Sequence, residues 1–218
     1  MNDVRKLSIV TYLLPSIALL SLAVSCAQDT RSSEEPFETV KVSSTAGSGN
    51  VSQCRRLTDF DTSDSNDGWT VVNDNIMGGQ SLGGPVFDNS VMAFSGYINT
   101  NGGGFSSVRK ALEPNMLEPY SKVVLRLKPD GRAYRLILED NLETRSAPTV
   151  HRQNIEFGSA GEWQTVSVSF DQLQPSVFGD PVEAPRFRQD LATRIGLMLN
   201  DVGDGPFQLE VDWIDVCR

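Results

Sequence analysis

Hydrophobic and polar positions alternate along much of the second half of the chain. In residues 123–128 every second position is Val or Leu, and the same period of two returns in residues 134–138. The segment between them contains Pro-Asp-Gly at 129–131, residues that favour a tight turn. Because successive side chains of a strand point to opposite faces, this pattern predicts two strands joined as a β-hairpin.

Other segments repeat the alternation and bring the predicted total to about eight or nine strands. They are residues 91–98, 105–110, 163–170, 195–199 and 207–216. Short helical turns are expected only at residues 170–173 and 190–193. Many short strands with turn signals between them, and no long amphipathic helix, indicate an all-β fold, an antiparallel sandwich or barrel.

The first 25 residues have the features of an export signal. Arg5 and Lys6 precede an apolar run at 7–24, and small residues lead up to Cys26. The sequence Leu-Ala-Val-Ser-Cys favours lipoprotein processing, in which Cys26 becomes the lipidation site. Ordinary cleavage after Ala27 and an uncleaved anchor helix are the two alternatives.

Composition divides the rest of the chain into two parts. Residues 26–53 are rich in Ser, Glu, Thr, Gly and Asn and poor in bulky apolar side chains. They are predicted to form a disordered tether, because such a segment cannot bury enough surface to offset the entropy of ordering it. Residues 54–218 are long enough to form one domain with a sizeable core.

The chain is acidic, with 19 Lys and Arg against 28 Asp and Glu and a net charge of −9 at pH 7. This charge provides no electrostatic reason to bind nucleic acid or anionic lipid. We therefore expect no nucleic-acid partner, and membrane contact only through a lipid on Cys26. The signal predicts a monomeric lipoprotein of the cell envelope, at the periplasmic face of the outer membrane.

The remaining cysteines stand at the two ends of the predicted domain. Cys54 begins it and Cys217 lies next to its last residue. In an exported, oxidising compartment these positions predict a disulfide that closes the domain, which requires the first and last strands to be neighbours. Two separate free thiols are the alternative.

Residues suited to catalysis are sparse. The single histidine, His151, lies in an alternating segment where we expect it to face solvent. Glu139 and Asp140 are neighbours on a strand, so they point to opposite faces and cannot act as a glycosidase pair. We expect a protein without catalytic residues.

No metal or organic cofactor is expected either. Cysteine and histidine do not occur with metal-ligand spacing, and the glycine-rich stretches open no helix that could hold a phosphate. The acidic run at 59–68 is dense in oxygen ligands but lacks the spacing of a calcium-binding loop. We interpret it as a solvated turn, with a calcium site as the alternative.

Two glycine-containing stretches identify a family. The first reads Trp-Thr-Val-Val-Asn-Asp-Asn-Ile-Met-Gly-Gly at 69–79, and the second reads Asn-Gly-Gly-Gly-Phe-Ser-Ser-Val-Arg at 101–109. With the segments at 94–96, 123–136, 161–166 and 205–214, this pair resembles the complex I intermediate-associated protein 30 family. The resemblance covers nearly all of residues 57–216.

The resemblance implies a fold, a function and a set of site residues. The fold is a galactose-binding-like jelly-roll β-sandwich related to carbohydrate-binding modules. The named eukaryotic relative is an assembly chaperone of mitochondrial complex I, without established catalytic residues. The matching positions imply one shared loop cluster, which is the candidate ligand or interaction site, with a purely structural corner as the alternative: Trp69, Asn73, Asp74, Met77, Gly78, Gly79, Gly103, Gly104, Phe105, Ser107 and Arg109.

Within this cluster we expect Asp74 and Arg109 to form a buried ion pair with a structural role. The export signal departs from the family, because complex I assembly takes place on the matrix side. The expected function is therefore a non-enzymatic binding or assembly-accessory module for a protein partner at the envelope. The alternative is a carbohydrate-binding module, although Trp163 and Trp213 lie in alternating strands and are predicted to be core.

Overall fold

The computed structural model describes residues 54–218, which form thirteen strands. They are β1 Cys54–Thr58, β2 Trp69–Asn73, β3 Leu82–Asp88, β4 Val91–Ile98, β5 Ser106–Ala111, β6 Lys122–Pro129, β7 Tyr134–Thr144, β8 Ala147–Asn154, β9 Gln164–Ser169, β10 Gln174–Val177, β11 Asp180–Pro181, β12 Arg194–Leu199 and β13 Gly205–Cys217. The predicted signal, the tether and Cys26 lie outside the described residues.

Helical structure in the described part is limited to single turns. A short helix α1 spans Ser63–Asn66, and 3₁₀ turns span Asp74–Met77, Phe170–Gln172 and Gln189–Leu191. The acidic run contains α1, which begins with a capping box between Thr62 and Ser65. Between residues 54 and 218 no helix could cross a membrane, and no group of three His, Cys, Asp or Glu could hold a metal ion.

The strands form two antiparallel sheets. The six-stranded sheet has the order β3-β4-β13-β6-β9, with β1 also paired to β13. The seven-stranded sheet has the order β11-β10-β8-β7-β12-β5-β2. The predicted all-β antiparallel sandwich is confirmed.

The core lies between the two sheets and is built from the alternating positions. Val123, Leu125 and Leu127 of β6 are fully buried, as are Leu136 and Leu138 of β7. Each such side chain contributes about 1.5–3 kcal/mol when it leaves water. The period of two in the sequence therefore corresponds to one inward face on each sheet.

The predicted hairpin of β6 and β7 is wrong, because the two strands belong to different sheets. The turn at 129–131 is present, with Gly131 at φ +99°, but it carries the chain across the sandwich. Arg132 follows the turn and donates from Nε to Asp201 at 2.8 Å. This ion pair stabilises the crossing from one sheet to the other. The hairpin prediction was wrong because turn residues alone do not reveal which sheet the next strand joins.

The prediction that both tryptophans are core residues is also wrong. β13 has a bulge between Val211 and Trp213, which moves Trp213 to the outer face and returns Ile214 to the core. Outside, the indole of Trp213 lies 4.7 Å from the guanidinium of Arg56. Trp163 lies under the guanidinium of Arg126 at 5.6 Å. Both rings are half-buried and bound to cations.

The disulfide between Cys54 and Cys217 is confirmed. The two residues are direct cross-strand partners in the β1–β13 pair, and their sulfurs are 2.02 Å apart. The first strand of the domain is therefore covalently joined to its last strand.

Candidate binding site

Asp74 is the centre of the glycine-rich corner. Its carboxylate is completely buried. It accepts hydrogen bonds from the Ser81 amide at 2.9 Å, the Ser81 hydroxyl at 2.6 Å and the Phe105 amide at 3.3 Å, and another from the Gly104 amide. Burial alone raises the pKa of Asp74, but these hydrogen bonds outweigh it and hold the pKa below its usual value.

The glycines of both motif stretches make room for this carboxylate. A Cβ atom added to Gly79 or to Gly103 would lie 2.7 Å from the Cβ of Asp74. Gly78 has φ +90° and closes the 3₁₀ turn that Asp74 begins. The two stretches are separated in sequence, yet they enclose one buried acid, so the motif describes a structural corner.

Replacing Gly103 with alanine should therefore destabilise the protein by about 1–3 kcal/mol, because the new methyl group overpacks the buried carboxylate. Gly158 is the matched control, since an added Cβ there would meet its nearest atom at an ordinary 3.6 Å. Urea denaturation of the two alanine variants measures the difference. Equal unfolding midpoints would contradict this description of the corner.

Other motif residues support the corner or lie on its surface. The side-chain nitrogen of Asn73, Nδ2, donates to the Gly83 carbonyl, and the side-chain oxygen Oδ1 accepts from the Ser106 hydroxyl. Trp69 packs against the core. Met77 is 59% exposed, in the turn after Asp74. Most of the polar groups in the cluster are thus used to hold the fold together.

The predicted ion pair of Asp74 with Arg109 is wrong. Arg109 instead makes an ion pair with Glu139, and both side chains are largely buried. Val108 points into the core, so Arg109, its neighbour on β5, lies on the outer face of the seven-stranded sheet. Alternation in the sequence did not show which residues of β5 face the core, because the neighbouring residues Ser106 and Ser107 are both buried.

Glycine at position 196 allows Arg109 to reach Glu139. Gly196 lies on β12, between Arg109 on β5 and Ile137 on β7. A Cβ atom at Gly196 would stand 3.0 Å from Cγ of Arg109. The arginine stem thus crosses β12 where there is no side chain to obstruct it.

The outer face of the seven-stranded sheet carries a group of arginines. Strand register places Arg109, Arg135, Arg152 and Arg194 on this face, and Glu139 is the carboxylate it places among them. Glu139 is shared, with one oxygen on Arg109 and the other 3.1 Å from Arg194. We call these four arginines the arginine face.

Two members of the arginine face are not neutralised. Arg135 donates from Nε to Asn154 at 2.9 Å, but Asn154 carries no charge. Arg152 is half-buried and has no hydrogen-bond or ion-pair partner within residues 54–218. Burial lowers the pKa of Arg152 and the nearby Arg135 lowers it further, whereas Asp180 at the sheet edge raises it. A guanidinium remains charged under such shifts.

His151 does not face solvent as predicted. It is completely buried on the inner side of β8, with its ring against Phe187 and its Nε2 3.2 Å from Asp140. Burial raises the pKa of Asp140, but the adjacent His151 ring and hydrogen bonds from the backbone amides of Arg188 and Leu142 hold this pKa below its usual value. No substrate can reach this pair, so it has a structural role.

The sequence profile of the complex I intermediate-associated protein 30 (CIA30) family matches residues 58–211, which include the whole glycine-rich corner. The chain belongs to this family. A search of curated proteins found no match.

Solved structures similar to this family member are carbohydrate-binding modules. The family 11 module of a cellulosomal cellulase from Clostridium thermocellum has a TM-score of 0.58 and 15% identity, over 76% of this chain and 94% of the module. The same module, solved in complex with a β-1,3-1,4-mixed-linked tetrasaccharide, has a TM-score of 0.56 and 16% identity, over 75% and 94% of the two chains. At this identity the likeness shows the fold alone, a galactose-binding-like jelly roll.

An agarase extends the same relationship to a larger enzyme. Its TM-score is 0.52 with 11% identity, over 76% of this chain but only 24% of the agarase. The predicted jelly-roll fold is therefore confirmed for this chain.

Sequence reasoning missed the arginine face. The signal that could have revealed it is the alternation of arginine with buried residues, since Arg135 stands between Tyr134 and Leu136 and Arg194 precedes Ile195. The strands that bring these arginines together are far apart in the sequence. Their shared face becomes visible only once the strand order is known.

Proposed function

We propose that the protein is a non-enzymatic binding module whose ligand is a glycan, bound on the outer face of the seven-stranded sheet. The observation that carries this proposal is Arg152, a half-buried cation on that face that makes no hydrogen bond or ion pair within the described domain. Unpaired buried charges are unfavourable unless something binds them. In contrast, the polar groups of the glycine-rich corner largely satisfy one another.

The acid–base candidates considered from the sequence, Glu139, Asp140 and His151, all contact other residues of the domain, which supports a binding role. Asp140 and His151 are enclosed by the core, and Glu139 is held by two arginines. A glycoside hydrolase needs two carboxyl groups facing one substrate. The carboxylates near the arginine face do not form such a pair.

The solved relatives support a glycan as the ligand. The clostridial module was solved with a tetrasaccharide, on a jelly roll similar to this one. The face proposed here also presents neutral hydrogen-bonding groups, Thr70, Asn154 and Gln174, beside its arginines. Such groups match the hydroxyls of a sugar chain.

We further propose that Cys26 is lipidated and that residues 26–53 tether the domain at the periplasmic face of the outer membrane. A domain held there as a monomer would meet glycans of the envelope. This localisation is supported by the signal pattern at 1–25.

A second candidate is an assembly-accessory role with a protein partner. It is favoured by two apolar side chains at the glycine-rich corner, Ile76 and Met77, which are 71% and 59% exposed. Exposed apolar residues at a loop tip are typical of protein contacts. The name of the family is consistent with this role.

Affinity electrophoresis of the purified protein through gels containing soluble polysaccharides tests the glycan proposal. We expect at least one polysaccharide to retard migration. Replacing Thr70 and Gln174 with alanine should reduce the retardation, because both lie on the proposed face. The control pair, Ser95→Ala with Gln208→Ala, lies on the six-stranded sheet.

No retardation by any polysaccharide would contradict the glycan proposal. Chemical cross-linking in cells would then test the second candidate. Capture of one envelope protein, lost in Ile76→Ser with Met77→Ser, would favour the assembly-accessory role.

A further inference from the structure

We infer that the glycan bound by this domain is anionic, an oligosaccharide bearing carboxylate or sulfate groups, and that Arg135 and Arg152 bind those groups. This inference rests on the proposed function, because it assigns the ligand class of the same face.

The charge on this face is opposite to that of the molecule as a whole. The chain has a net charge of −9, yet four arginines gather on one sheet face around the carboxylate of Glu139. Arg109 and Arg194 share Glu139. Arg135 and Arg152 remain, and the nearest acid that acts on Arg152 is Asp180 at the sheet edge.

The two remaining arginines are diagonal neighbours on adjacent strands. Arg135 lies on β7, and Arg152 lies on β8, which pairs directly with β7. Adjacent strands are about 5 Å apart, so two long side chains in neighbouring rows can contact the same anionic group. The like charges repel each other when no ligand is present. An anion between them would remove that repulsion.

The types of side chain on this face indicate which class of sugar it can bind. Register places no aromatic residue of the described domain among them, and the neighbouring positions are Ser107, Ile137, Met198, Asn154 and Gln174. Modules for neutral glycans hold sugar rings by stacking them on aromatic side chains, whose faces are apolar. Guanidinium groups instead make paired hydrogen bonds to carboxylate and sulfate oxygens.

Charge also distinguishes a glycan from other polyanions. Nucleic acids and anionic membranes present large, densely charged surfaces, which an acidic protein repels over most of its own surface. A single saccharide chain contacts only the arginine face. The face therefore fits an anionic oligosaccharide better than either of those partners.

The test measures binding of the purified protein to three probes by isothermal titration calorimetry. The probes are polygalacturonate, which carries carboxylates, dextran sulfate, which carries sulfates, and neutral mixed-linked β-glucan. Parent protein should bind one or both anionic probes, and the stronger of the two identifies the group. Raising the salt concentration from 50 to 500 mM should weaken binding, because exposed charges are then screened.

Arg152→Gln is the decisive variant, and Arg55→Gln is its control. Arg55 is exposed on β1 of the six-stranded sheet, so its loss changes net charge equally but leaves the arginine face intact. We expect Arg152→Gln to weaken binding at least tenfold and Arg55→Gln less than twofold. Neither side chain has a partner in the described domain, so both variants should melt like the parent.

The outcomes separate this inference from the proposed function. Binding of the neutral glucan alone, with loss in the Thr70 and Gln174 variants, would overturn the inference but leave the proposed function standing. Equal weakening by Arg152→Gln and Arg55→Gln would overturn the inference by showing unspecific charge attraction. If none of the polysaccharides binds, both are overturned.

Discussion

Replacing Asp74 with alanine is expected to lower the free energy of unfolding by about 3–5 kcal/mol, because four hydrogen bonds to its buried carboxylate would be lost. The donors are the amides of Ser81, Gly104 and Phe105 and the hydroxyl of Ser81. Urea denaturation followed by circular dichroism measures the loss. Asp61→Ala is the matched control, since Asp61 is an exposed acid in a nearby loop, and it should change stability by less than about 0.5 kcal/mol.

The pH dependence of the difference in stability between the parent and Asp74→Ala provides a second check. The pKa of Asp74 is lower in the folded protein than its ordinary value of 3.8. Its contribution to stability is therefore complete above about pH 4 and disappears as the pH falls through the folded pKa. The gap between parent and Asp74→Ala should be constant from pH 5 to 7 and narrow below pH 4. A gap that widens in acid would show that Asp74 is not held as a carboxylate.

Removing the disulfide should have a similar or larger effect. Cys54 and Cys217 are separated by 163 positions, and closing a loop of this length stabilises a protein by about 5 kcal/mol in the chain-entropy treatment. The variant with both cysteines replaced by alanine should melt roughly 10–20 °C below the parent.

Reduction tests the same bond without mutation. A reducing agent should lower the melting temperature of the parent to that of the double-alanine variant and leave the variant unchanged. If the oxidised parent and the variant melted together, the cross-link would contribute no stability.

The sequence predicted those features that depend on local pattern or on position at the ends of the domain. Alternation identified most of the long strands, and the placement of Cys54 and Cys217 indicated the disulfide. The family motif correctly brought residues 69–79 and 101–109 into one corner. Within it, however, the partner of Asp74 turned out to be a set of backbone amides and a serine, which no pattern of side-chain charges could indicate.

The sequence-based predictions were wrong where a single residue changes which side chains of a strand face inward, or where the sheet that a strand joins depends on distant contacts. The bulge before Trp213 reverses the alternation of β13 after Val211, and sequence alone does not mark such an insertion. His151 lies in an alternating segment that predicts exposure to solvent, but the packing of Phe187 over β8 buries it. The arginine face required the order β8-β7-β12-β5, which is a non-local property.

The position of β13 has a consequence for how the chain folds. It follows every other strand in the described sequence, yet it lies within the six-stranded sheet, between β6 on one side and β4 with β1 on the other. Until residues 205–217 are available, β4 and β6 have no partner on those edges, and unpaired edges promote aggregation. Such long-range pairing slows folding, because the entropy cost of bringing distant segments together comes before any stabilising contact forms. Completion of this sheet therefore waits for the last strand to be made.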